Sequence, residues 1–164
     1  YTDNSNNFEE LNGNSNALGI DFFIKKKFKK HQYLIAYSLG KIDEETLSES
    51  SKYSSLAPQN QFQELKGGLF LSFNKWKFSF TEVIGSGFEN GTIKKASPYH
   101  RFDFAFNYKL LKTKWDIDLG ISILNVFNNQ NVRFNQFSSL PELSENSIFA
   151  IPFTPTINLT IGLR

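Results

Sequence analysis

The stretch Tyr99–Phe127 reads YHRFDFAFNYKLLKTKWDIDLGISILNVF. Every second residue of its first half is large and apolar: Phe102, Phe104, Phe106, Tyr108 and Leu110. Between them stand Arg101, Asp103, Ala105, Asn107 and Lys109. The alternation resumes with Trp115, Ile117, Leu119, Ile121, Ile123 and Phe127, set against Asp116, Asp118, Gly120 and Ser122. A period of two is the strand period, because successive side chains of a strand point to opposite faces. Leu111–Lys114 is a tight turn, so the stretch predicts a hairpin. Folding it there pairs Leu110 with Trp115, Tyr108 with Ile117, Phe106 with Leu119 and Phe104 with Ile121. It also sets Lys109 opposite Asp116 and Asn107 opposite Asp118. One face is then wholly apolar and the other polar or small.

Five more segments carry the same period. Ala17–Lys27 presents Leu18, Ile20, Phe22 and Ile24; Gln32–Ile42 presents Tyr33, Ile35, Tyr37 and Leu39. Phe62–Phe73 shows Leu65, Leu69, Leu71 and Phe73, and Lys75–Gly85 shows Trp76, Phe78, Phe80 and Ile84. Thr154–Arg164 shows Ile157, Leu159, Ile161 and Leu163 against Thr156, Asn158, Thr160 and Gly162. Turning the chain at Phe28–His31 pairs Ile24 with Ile35 and Phe22 with Tyr37. Turning it at Asn74–Lys75 pairs Phe73 with Trp76, Leu71 with Phe78 and Leu69 with Phe80. A one-residue slip would carry polar groups onto the apolar face, so each hairpin tests its own register.

Composition agrees. The 164 residues include 18 Phe, yet the mean hydropathy is −0.36. A chain rich in rings and polar on average must segregate the two. No run of 18 apolar residues exists, which excludes a membrane-spanning helix. A net charge of +2 gives no case for nucleic acid. Absent cysteine excludes disulfides and thiolate metal sites.

The segments run to about ten residues or more, the length that crosses a bilayer when tilted, whereas soluble strands average about five or six. Tight turns follow the first, third and fifth segments. Long polar loops, Asp43–Gln61, Ser86–Pro98 and Asn128–Phe153, follow the second, fourth and sixth. Short turns on one rim and long loops on the other is the pattern of a Gram-negative outer-membrane barrel, short turns periplasmic. Tyr33, Phe73, Trp76, Tyr108 and Trp115 lie near the short turns, as interfacial rings do; Phe88, Tyr99 and Phe127 are candidates for the other interface. The expected fold class is therefore all-β: an antiparallel transmembrane β-barrel portion of seven strands, residues 17–164, with residues 1–16 the tail of an extracellular loop. Single-chain barrels have even strand numbers and bare edges are not viable in lipid, so further strands are expected elsewhere.

Four stretches resemble TonB-dependent receptors of the Bacteroidetes. Pro98–Asp103 (PYHRFD) resembles their Tyr-His-Arg-Leu-Asp signature. Gly120–Asn131 (GISILNVFNNQN) resembles their SxxNxxN strand end. Asn16–Asp21 resembles their Gly-x-Glu strand start, with Asp for Glu, and Pro152, Pro155 and Ile157–Gly162 resemble their closing strand. The resemblance implies the C-terminal part of a 22-stranded barrel with a plug domain in its lumen. It implies import of an extracellular ligand (siderophore, cofactor, glycan or peptide), driven by TonB through the plug, with a surface lipoprotein as a further partner. Receptors of this kind end in an aromatic residue, so one is expected after Arg164. The alternative is a passive channel or a structural barrel subunit of a larger outer-membrane complex.

Arg101, Asp103, Asn107, Lys109, Asp116 and Asp118 are the residues expected to face the lumen or plug. Lys25, Lys26, Lys27, Lys29 and Lys30 are solvated at the barrel base or meet anionic headgroups. Asp43, Glu44 and Glu45 open a loop, as a solvated run or a Ca²⁺ site. His31 reads as a solvated turn residue. His100 falls on the lipid side near the outer interface. Two histidines without cysteine make a poor metal site, and no serine is held beside His100, so neither an enzyme nor a cofactor is expected.

Overall fold

A computed structural model of the chain describes residues 12–48, 51–56, 61–87, 98–112, 114–136 and 146–163. Phe88 and Arg164, and residues 1–11 of the expected loop tail, lie outside them. The strands are β1 (Asn12–Phe28), β2 (His31–Ser48), β3 (Ser51–Leu56), β4 (Gln63–Phe73), β5 (Trp76–Gly85), β6 (Tyr99–Lys112), β7 (Trp115–Leu124), β8 (Val132–Gln136), β9 (Asn146–Phe149) and β10 (Thr154–Leu163). No helix occurs among the described residues. One antiparallel sheet runs β1-β2-β4-β5-β6-β7-β10, with β3 on the far end of β2, and β8 and β9 form a separate hairpin.

The seven predicted segments are the seven strands of the main path. Two hairpins have the expected register: Ile24 faces Ile35 and Phe22 faces Tyr37, while Phe73 faces Trp76 and Leu69 faces Phe80. Each closes through two residues, the shortest antiparallel connection. The first of the two, Lys29 or Asn74, takes a positive φ of 53° or 50°.

The third hairpin differs from its expected register by two residues. Tyr108 faces Leu119, Phe106 faces Ile121 and Phe104 faces Ile123. The strands continue to Lys112 and Trp115, so a two-residue turn replaces the four-residue one. A shift of two leaves every side chain on its own face, so face sorting could not distinguish the registers. The tighter turn adds rungs to the ladder.

Other boundaries move as well. β1 begins at Asn12, not Ala17: Asn12–Asn16 pair with Leu47–Asp43 and are strand rather than loop. β2 runs to Ser48 and β3 folds back along it, so the Asp43–Gln61 connection is largely a hairpin. The Asn128–Phe153 connection carries β8 and β9. Backbone pairing extends the sheet past the apolar band because polar residues satisfy a ladder as well as apolar ones.

The apolar face is uncovered. The substantial contacts between elements all run between ladder neighbours. Leu18 is 84 % exposed and Ile157 76 %, and Phe22, Ile24, Ile35, Trp76, Trp115 and Leu159 are exposed too. Phe102, Phe104 and Phe106 are half-buried by their sideways neighbours, not by a second layer. Trp76 stacks on Phe106 at 5.4 Å, Phe78 meets Phe106 at 5.2 Å, and Phe80 meets Phe104 at 5.3 Å.

Candidate functional site

The polar face brings the six predicted wall residues onto one side of β6 and β7, in pairings the sequence did not fully anticipate. Lys109 faces Asp118 and Asn107 faces Gly120, a consequence of the two-residue shift. The Lys109 ammonium lies between two carboxylates, 4.0 Å from Asp116 Oδ1 and 3.9 Å from Asp118 Oδ2. At those distances the interaction is charge attraction without a hydrogen bond. Gly120 sits between Asn107 and Asn158, its partners on either side. A Cβ there would lie 2.0 Å from Asn158 Oδ1 and 2.6 Å from Asn107 Oδ1. Ser122 and Thr156 share a hydroxyl hydrogen bond of 2.9 Å across the next rung. The polar face also has an apolar patch: Leu34 and Phe70 flank Gly68, and a Cβ on Gly68 would lie 2.9 Å from Leu34 Cγ.

Arg101 and Asp103, two apart on β6, form a bidentate pair through Nε–Oδ1 and Nη2–Oδ2, both 2.8 Å. The planar guanidinium matches the carboxylate fork. Asp103 Oδ1 also accepts the Asn125 backbone N–H at 2.8 Å. That bond ties the start of β6 to the end of β7.

Beyond it the chain forms a knot of asparagines. β7 stops at Leu124, not Phe127, because Asn125 takes a φ of 51° and turns the chain out of the strand. Asn tolerates the left-handed region better than most residues. Asn125 is the one large fully buried side chain among the described residues. Its Nδ2 donates to the carbonyls of Asn129 and Ile151 at 2.9 and 3.0 Å, and its Oδ1 accepts the Asn129 N–H at 3.1 Å. Asn131 and His100 exchange a reciprocal pair: His100 N–H to Asn131 Oδ1 at 2.7 Å, Asn131 Nδ2 to the His100 carbonyl at 2.8 Å. Asn128, also at positive φ, accepts the Phe153 N–H through its Oδ1. Phe127 swings over the apolar face onto Phe102 and His100, at 5.5 and 5.7 Å.

His100 lies on the apolar side near this rim, as alternation predicts, and its Nε2 is 2.9 Å from Glu82 Oε1. Glu82 is a carboxylate that sequence reasoning overlooked. It stands on the Trp76–Ile84 face, where its periodic position should have flagged it. Asn129 Nδ2 donates to the His100 carbonyl and lies 3.3 Å from its Nδ1. An amide donor there leaves Nδ1 the acceptor, so the neutral ring carries its proton on Nε2, toward Glu82.

Three readings of individual residues change. Tyr99 pairs with Gly85 and shares the polar side with Arg101, so it is no interfacial ring of the apolar face. His31 is no free turn residue: it opens β2, its Nδ1 accepts the Ser72 N–H at 3.2 Å, and its ring lies 4.9 Å from Phe73. Asp43–Glu45 continue β2, so their side chains alternate between faces and cannot converge on one ion, and Asp43 pairs with Lys41 at 2.9 Å. No group of three potential metal ligands occurs among the described residues. Tyr33, Phe73, Trp76 and Trp115 are exposed on the apolar face by the short turns, with Tyr108 4.3 Å from Trp76.

Compared with known proteins, the chain matches no family model, no curated protein and no solved structure.

Proposed function

We propose that this chain is a wall segment of a Gram-negative outer-membrane β-barrel and serves a TonB-dependent transporter. The observation that carries the membrane reading is the uncovered apolar face. Large rings and branched side chains line it, and the one large side chain fully buried among the described residues is an asparagine. In water such a face is a severe liability; in hydrocarbon it is what the solvent requires. β4, β5, β7 and β10 have 10 or 11 residues, the length of a tilted spanning strand.

Strand direction supports closure by other strands. Six antiparallel steps separate β1 from β10, so both edge strands run the same way. Copies of this chain in one orientation would meet there in parallel. An all-antiparallel barrel therefore needs an odd number of further strands, which makes the total even, as bacterial barrels require.

The transport reading rests on the resemblance of Pro98–Asp103 and Gly120–Asn131 to the receptor family. These two stretches, distant in sequence, together build the asparagine knot. Both stretches therefore meet at one rim of the sheet.

The membrane reading is tested by single cysteines, which the cysteine-free chain accepts without background. Spin labels at Phe104→Cys and Ala105→Cys, in vesicles, should alternate: the first accessible to oxygen, the second to a water-soluble relaxant. Equal accessibility ends the reading. For transport, the whole polypeptide in a planar bilayer should be closed by its plug and conduct only after the plug is unfolded. A permanently open conductance favours the passive channel.

A further inference from the structure

We propose that the β1–β2 turn carries a binding site for the phosphate of an anionic phospholipid headgroup, in the leaflet at the short-turn rim. The proposal rests on the membrane reading and adds to it. Lys26 faces Tyr33 across the hairpin, so its stem is on the apolar side at the edge of the ring-lined band. The Lys29 ammonium lies 5.5 Å from the centroid of the Phe28 ring, and Phe28 is on that same side and exposed. Two lysines thus share the lipid side of one turn, Lys29 over the Phe28 ring and Lys26 on the rung that faces Tyr33. Neither has a carboxylate partner among the described residues, unlike Lys41, Lys66 and Lys109.

The surroundings point the same way. The short turns carry Lys30, Lys75 and Lys114 as well, and the acids nearest this rim, Asp116 and Asp118, are engaged with Lys109 on the opposite face. Asp43, Glu44, Glu45, Glu64 and Glu82 belong to the other rim. Interfacial rings fix the depth of the turn, and amines just beyond them meet the phosphate layer. Lysine near an anionic surface gains about a factor of five in binding per side chain.

The test uses the full chain with vesicles of phosphatidylcholine alone and of phosphatidylcholine with roughly a third phosphatidylglycerol, read by co-sedimentation at low salt. The native chain should bind both and prefer the anionic vesicles. Lys26→Gln with Lys29→Gln should weaken anionic binding by about 25-fold, two lysines at about five-fold each, and leave neutral binding unchanged. The control, Lys41→Gln with Lys66→Gln, removes the same charge far from the turn and should retain the preference. Equal binding of the native chain to both vesicles overturns the headgroup site alone. Equal losses in the two double variants also overturn it, since net charge then suffices. Binding to neither vesicle overturns the membrane reading and the site with it.

Discussion

Replacing Asn125 tests the knot that joins the two motif stretches. Asn125→Ala removes three side-chain hydrogen bonds and leaves the Asn129 N–H, the Asn129 carbonyl and the Ile151 carbonyl without them. Ile151 is exposed, so water replaces its partner at little cost. The two Asn129 groups are half-buried, and each costs about 1–3 kcal/mol if left unpaired. Alanine at a φ of 51° adds about 1–2 kcal/mol. The expected total is about 3–8 kcal/mol. Asn125→Gly loses the same hydrogen bonds without the backbone strain, so it should be the milder variant by about 1 kcal/mol. Urea titration of the chain folded in vesicles, followed by tryptophan fluorescence, reads the global cost. Hydrogen exchange at the Asn129 and Ala150 amides reads local opening, since Ala150 donates to the Asn131 carbonyl within the knot. An alanine cost under about 1 kcal/mol with unchanged protection at Asn129 would refute the energetic role assigned to the knot.

Three further outcomes are expected. Gly120→Val should cost no more than about 1 kcal/mol, because the atoms nearest its Cβ are the outer amide ends of the exposed Asn107 and Asn158 side chains, which can turn aside. A larger loss that adding Asn107→Ala and Asn158→Ala restores would mean the two amides are held in place. Phe104→Arg should cost about 2–4 kcal/mol of folding into a bilayer, while Ala105→Arg on the other face costs about 1 or less; similar costs would remove the assignment of faces. Cysteines at Tyr108 and Leu119 should cross-link readily and those at Tyr108 and Ile117 should not, since facing Cα atoms lie within disulfide reach and the next rung along does not. The reverse result would restore the longer turn.

Much of the fold is legible in single residues. Phe102, Phe104 and Phe106 declare a strand face because three rings at a spacing of two have no helical explanation. Gly-free runs such as Trp115–Leu119 locate the strands, and the short turns between them set the rim. The six wall residues reach one face because period two alone decides it. Glu82 was legible too, as the one carboxylate in an apolar stripe, but its partner His100 lies on another strand 18 positions away.

What the sequence by itself determined is which face each side chain takes. That is a local property: it follows from the alternation of the backbone and survives any even shift of register. Which residue stands opposite which is not local. The choice of Asp118 over Asp116 as the residue facing Lys109 depended on two residues of turn, and both choices sort the faces equally well. The asparagine knot was hidden for a related reason. Asn125 read as part of a strand and Asn129 and Asn131 as a polar loop until β6 is laid beside β7, when Asp103, His100 and Ile151 bring them the partners that make burial affordable. Hydrogen bonds between distant segments exist only once the segments are neighbours, so only the tertiary structure could decide them.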